Sequence, residues 1–94
     1  MNQKYIEKVK EILTAWNPLG DRAKEIKDLN NYETEAVDII FHVNTEIHFK
    51  RKGDSLKRVQ LIMKEVIEGA FSLDLDDDEC RKPAEEIYNI LSKT

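Results

Sequence analysis

Apolar residues recur every three or four positions along most of the chain, and this spacing divides it into four helical segments. In the first, Tyr5, Ile6, Val9, Ile12, Leu13 and Trp16 fall on one stripe. "NPLG" closes it, because Pro18 disfavours the right-handed helical conformation at Asn17 and Gly20 supplies turn freedom. The connector "DRAKEIKDLNN" follows, where Ala23, Ile26 and Leu29 leave room for a short extra helix over 21–29. Asn31 is then the expected N-cap of the second long helix, with Glu33 and Glu35 in its first turns. That helix presents Ala36, Ile40, Val43 and Ile47, with Ile39 beside them, and is expected to fray near "HFKRKGD". Gly53 breaks the pattern, and Asp54 or Ser55 is the expected cap of the third helix. Its stripe is Leu56, Val59, Met63, Val66, Ile67 and Ala70, ending at Phe71. The last helix carries Ala84, Ile87, Ile90 and Leu91, and Pro83 either opens it or kinks a helix begun near Asp77.

No alternating strand pattern competes with this reading. The expected fold is all-α: one domain over 1–94, a four-helix bundle-like arrangement of orthogonal or up-down helices. A chain of 94 residues fits one domain of the common size. Apolar residues make up 40% and charged residues 36%, too apolar for disorder and too charged for a membrane protein. No apolar run nears the ~18 residues of a membrane span. The first residues thread charge through their apolar positions, so no signal-peptide core is present and a cytoplasmic location is expected. A single cysteine, Cys80, fits a reducing compartment.

One stretch has the spacing of a calcium loop. Asp74, Asp76, Asp78 and Glu85 occupy positions 1, 3, 5 and 12 of an EF-hand window. Position 6, which needs a sharp turn, holds Glu79, and position 8, usually apolar, holds Arg81. No second loop is present to pair with it. Acidic residues also favour a helix N-terminus by meeting its orphan N–H groups and positive dipole end. The segment is therefore read as the start of a helix, without a bound metal.

Other chemistry is sparse. Glu35, Asp38, His42 and Glu46 form a stripe roughly opposite the apolar face of the second helix. A metal-dependent enzyme using Glu35, Asp38 and His42 is one alternative, but a solvated helix face has the same composition. Cys80 has no evident activating base and is expected to be packed. No phosphate loop, nucleophile elbow or dinucleotide fingerprint occurs, so neither a catalytic residue nor a cofactor is assigned.

Charge is distributed unevenly. Residues 50–64 carry six basic side chains against Asp54 alone, a balance of +5. Residues 65–86 carry nine acidic against two basic, a balance of −7. The net charge of −4 and the lack of aromatic partners beyond Phe49 disfavour nucleic acid. Such polarity suits steering of a protein partner or self-association. Phe41 sits about 140° from the middle of its helix's core face, and Leu61 is similarly displaced. Together with Asp74, Asp76, Asp77, Asp78 and Glu79 they make the expected partner contact.

Trp16-Asn17-Pro18-Leu19-Gly20, closing an amphipathic helix, with Tyr32-Glu33-Thr34-Glu35 opening the next, resembles the YugE-like family, small bacterial all-helical domains of unknown function. The resemblance extends through "VDIIFHV" and weakly to "DDDEC". Asn17 departs from the aspartate usual at that place, and the connector is longer than expected. The resemblance implies an all-α fold and transfers no catalytic residue. Trp16, Asn17, Pro18 and Gly20 are read as a structural turn, with Trp16 a buried anchor. The leading function is a non-catalytic protein–protein interaction module. A toxin-neutralising immunity protein, presenting Asp74–Glu79 to a basic nuclease, is the rival among binding proteins.

Overall fold

The computed structural model of the chain describes residues 3–26, 29–46 and 52–92. Helix α1 spans Gln3–Trp16, α2 Glu33–Glu46, α3 Lys52–Phe71 and α4 Asp77–Leu91. The connector after α1 holds two 3-10 turns, Gly20–Glu25 and Asn30–Tyr32, so 3-10 geometry stands where a short helix over 21–29 was expected. No strand occurs among the described residues. Ile47, His48, Phe49, Lys50 and Arg51, including the expected fraying point, lie outside them.

Consecutive helices pack on one another and α4 returns to α1, so the four close a ring around one core. The short connectors after α2 and α3 favour this neighbour-to-neighbour order. The molecule measures 40 × 28 × 19 Å with a radius of gyration of 12.5 Å, close to the ~12 Å expected for a folded chain of this length. Ile6, Val9, Ile12 and Leu13 of α1 meet Ala36, Ile39, Ile40 and Val43 of α2 in the buried cluster. Val59, Met63 and Ile67 enter from α3, and Ala84, Ile87 and Leu91 from α4. Ile62, Cys80 and Tyr88 are also buried. They flank the expected stripes, because each helix packs against two neighbours and buries a broader face than a single seam. Ala70, at the end of the expected stripe of α3, is exposed.

The turn after α1 departs most from expectation. Trp16 is only half-buried, so it is not the anchor. That place belongs to Tyr32, 2% exposed. Its hydroxyl donates to Asn17 Oδ1 at 2.7 Å and accepts from the Leu19 N–H at 3.3 Å. Asn17 has φ 49°, a left-handed conformation that asparagine tolerates, and its amide donates to the Gly20 carbonyl at 3.2 Å. Gly20 itself has φ +60°, where a side chain would be strained.

Asn31 is not an N-cap. Asn30, Asn31 and Tyr32 have φ of 45°, 54° and 65°, and α2 begins at Glu33. The left-handed run turns the chain sharply as the Tyr32 ring enters the core beneath the Asn17–Gly20 turn. Asn30 Nδ2 donates to Glu33 Oε2 at 2.9 Å, and Thr14 Oγ1 donates to the Asn31 carbonyl at 3.3 Å.

Helix α3 begins before Gly53, so Asp54 and Ser55 lie inside its first turn and do not cap it. Glycine is tolerable there because the first N–H groups of a helix have no intrahelical partner to lose. Helix α4 starts at Asp77 with Asp76 as N-cap, and Asp76 and Glu79 form a reciprocal capping box. The Glu79 carboxylate accepts from the Asp76 N–H at 3.0 Å. Pro83 therefore lies in the helix interior, and the helix continues through it to Leu91.

Candidate interaction surfaces

The acidic segment is built by the start of α4. Asp74, Asp76, Asp77, Asp78 and Glu79 are exposed, whereas Leu75 between them is buried. Leu75 pins the approach to α4 onto the core, and its N–H donates to Glu68 Oε2 at 2.8 Å. Most of these carboxylates have intrachain partners. Asp77 Oδ1 lies 2.9 Å from Lys64 Nζ, and Asp78 Oδ1 3.1 Å from Arg81. Asp76 and Glu79 cap the helix. The bond to Asp77 holds the Lys64 ammonium above its ordinary pKa.

An EF-hand loop does not form here. Asp78 and Glu85 belong to one continuous helix, so the window cannot wrap a cation as a calcium loop does. Among the described residues no group of three or more histidine, cysteine, aspartate or glutamate side chains could hold a metal ion.

The positive and negative segments meet within the chain. Lys64 bridges to Asp77, and Arg58 lies 3.6 Å from Glu46 on α2. Part of the charge polarity is therefore neutralised where α3 packs on its neighbours. Lys50 and Arg51 fall outside the described residues.

Phe41 and Leu61 are 56% and 53% exposed. They do not share a groove. Leu61 lines the groove between α3 and α4, beside Leu56, Lys57 and Arg81. Phe41 sits on α2, its ring edge-on to the His42 ring with centroids 5.6 Å apart.

The stripe on α2 divides. His42 Nδ1 lies 3.3 Å from Glu46 Oε2, and both line the groove between α2 and α3 together with Asp38. Glu35 does not join them on a solvated face. It is 8% exposed, and its Oε1 has no hydrogen-bond partner. The physical reason is that α1 and α3 flank α2 on two sides, so a position beside the apolar stripe is covered. Burial, with the Asp38 charge behind it, pushes the Glu35 carboxyl above its ordinary pKa. Glu35, Asp38 and His42 therefore do not converge as a metal-dependent enzyme would require.

Cys80 is fully buried. Burial first, and then the neighbouring Glu79 charge, push its thiol up to about 11, the opposite of what a nucleophile needs.

Two features escaped the sequence reading. Tyr32 reads as opening the second helix, where no periodic apolar position marks it as core. The α2–α3 groove owes its opening to Gly69 and Ala70, where the absence of side-chain bulk gives no periodic signal.

No known protein family, curated protein or solved structure matches this chain.

Proposed function

We propose that this protein is a non-catalytic, cytoplasmic protein–protein interaction module, related to the YugE-like domains that its Trp16–Gly20 turn resembles. The observation that carries the reading is the exposure of two large apolar side chains, Phe41 and Leu61, on helices whose other large apolar residues are mostly turned inward. An exposed aromatic or aliphatic side chain beside an open groove is the usual anchor of a helical contact surface. The chemistry of the titratable groups also supports it: Cys80 is sealed with a raised pKa, and Glu35 is buried whereas Asp38 and His42 are exposed.

The exposed acids of the Asp74–Glu79 segment keep an immunity protein facing a basic nuclease as the second reading. A toxin gene directly beside this one would favour it.

The test is affinity purification from the native host, with sedimentation of the purified protein at low and high salt. The wild type is expected either to retain a protein partner or to self-associate, and Phe41→Ser or Leu61→Ser should weaken that contact while the fold survives. A wild type that retains no protein and sediments as a strict monomer at both salts overturns the proposal.

A further inference from the structure

The groove between α2 and α3 has a volume of about 400 Å³. Asp38, His42 and Glu46 line its α2 wall, four residues apart, so they stand one above another over ~12 Å of helix. The α3 wall runs over the same length, from Ile62 through Glu65 and Val66 to Gly69 and Ala70. The groove thus has an aliphatic floor, a carboxylate rim on each side and an end opened by small residues. Asp38 and Glu65 make no ion pair among the described residues, and Glu46 holds only the His42 and Arg58 contacts.

Some of the charges on neighbouring surfaces are paired within the chain. In the α3–α4 groove Lys64 pairs with Asp77, and Gln60 donates to the Asp77 carbonyl at 2.9 Å. In the acidic segment Asp78 pairs with Arg81, and Asp76 and Glu79 cap α4. The α2–α3 groove combines the aliphatic Ile62 and Val66 with a carboxylate on each wall, Asp38 and Glu65, that has no ion-pair partner among the described residues.

We infer that this groove docks an amphipathic helix of a partner protein, one that presents aliphatic residues to Ile62 and Val66 and flanking lysine or arginine to Asp38 and Glu65. Three features define the occupant. Unpaired carboxylates select a cationic partner, because leaving them desolvated without one is unfavourable. Both walls repeat at helical intervals, which match the i and i+4 side chains of a docked helix. The walls are helices whose backbone groups are bonded internally, so an extended strand finds no edge to pair with. The inference rests on the interaction reading above and names the chemistry of the partner.

The probe is a fluorescein-labelled amphipathic helix of leucine and lysine, ~14 residues and thus ~21 Å long, with a leucine–glutamate helix as control. Binding is followed by anisotropy, and its site by amide chemical shifts of the labelled full-length protein. The lysine helix is expected to shift the resonances of Asp38, His42, Glu65 and Gly69 together, and the glutamate helix to leave them in place. Asp38→Asn with Glu65→Gln should weaken binding at least about tenfold, the effect of removing buried charge pairs. Gly69→Leu should block the groove to a similar degree. This variant keeps the helix, because a Cβ at Gly69 meets nothing within 4 Å and leucine is the better helix former.

Shifts that spread over the acidic segment, or binding indifferent to Gly69→Leu, overturn the groove assignment. Concentration-dependent shifts of the groove without any peptide also overturn it, by making a second copy the occupant. Failure here is distinguishable from failure of the interaction reading: a partner retained through Phe41 and Leu61 survives an empty groove, and a groove that takes the peptide survives an empty affinity column.

Discussion

Replacing Tyr32 by phenylalanine removes one oxygen from the joint between the first helix and the second. The ring stays, so its burial and its edge contact with Phe71, centroids 5.9 Å apart, are kept. Two hydrogen bonds disappear, and they are not equivalent. Asn17 is exposed, so its Oδ1 regains a water partner and the loss is a net hydrogen bond of ~1 kcal/mol. Leu19 is buried, so its N–H stays dry and unsatisfied. That costs ~1–3 kcal/mol, and the low end applies because the lost bond is long at 3.3 Å. The expected total is ~2 kcal/mol.

Urea denaturation followed by far-ultraviolet circular dichroism measures it. With a slope of ~1 kcal/mol per molar, usual for a chain this small, the midpoint should fall by roughly 2 M. The melting temperature should fall by about 10 °C. Asn17→Gly and Asn17→Ala separate the hydrogen bond from the backbone: both lose the acceptor, but alanine also pays ~1 kcal/mol for the left-handed φ. Combining Tyr32→Phe with Asn17→Gly should be non-additive by ~1 kcal/mol, since both remove the same bond. A loss below ~0.5 kcal/mol for Tyr32→Phe would show that the hydroxyl is not what ties the turn to the core.

Other perturbations follow from the same structure. Trp16→Ala should cost ~2 kcal/mol, short of the ~3–5 of a fully buried large aromatic, and a urea titration giving the larger figure would restore Trp16 as the anchor. Glu35→Gln should raise stability at neutral pH. The folded state holds the Glu35 proton above the ordinary carboxylate pKa, so the wild type has this stabilisation in full below that range. It loses it as pH rises through the raised value, and the glutamine variant should lack that decline in melting temperature. Cys80, with its pKa near 11, should react with a disulfide reagent at pH 8 only as fast as the protein opens, and prompt labelling would contradict its burial. Asp76→Ala should cost ~1 kcal/mol through loss of the cap, while added calcium should leave the melting temperature of the wild type unchanged.

The parts legible from sequence are those set by periodicity. Ile6, Val9, Ile12 and Leu13 declare a buried helical face because each is spaced to meet the same neighbours. The start of the last helix was legible in part: the sequence left it open between Asp77 and Pro83, and the capping box of Asp76 and Glu79 places it at Asp77. What the pattern could not show depends on contacts distant along the chain. The identity of the residue beneath the Asn17–Gly20 turn rests on a pairing between positions fifteen apart. The burial of Glu35 depends on how widely α1 and α3 wrap α2, which no property of α2 reports. The α2–α3 groove is defined by atoms that Gly69 and Ala70 lack, and a hydrophobicity pattern records only what is present.

The three successive left-handed residues at 30–32 carry a consequence for how the chain can vary. Within the helices its specification is statistical: any aliphatic residue of suitable volume can stand at Val9 or Ile67 with partial penalty. At Asn30 and Asn31 the requirement is on the sign of a torsion, which asparagine, aspartate and glycine meet and β-branched residues do not. Tyr32 meets it poorly, yet no better backbone former brings a ring and a hydroxyl to that place. The connector is thus a short text in a different alphabet from the helices around it, exacting about handedness as well as about the ring it buries. Drift that leaves the bundle's core intact can still erase the joint that orients its first two helices.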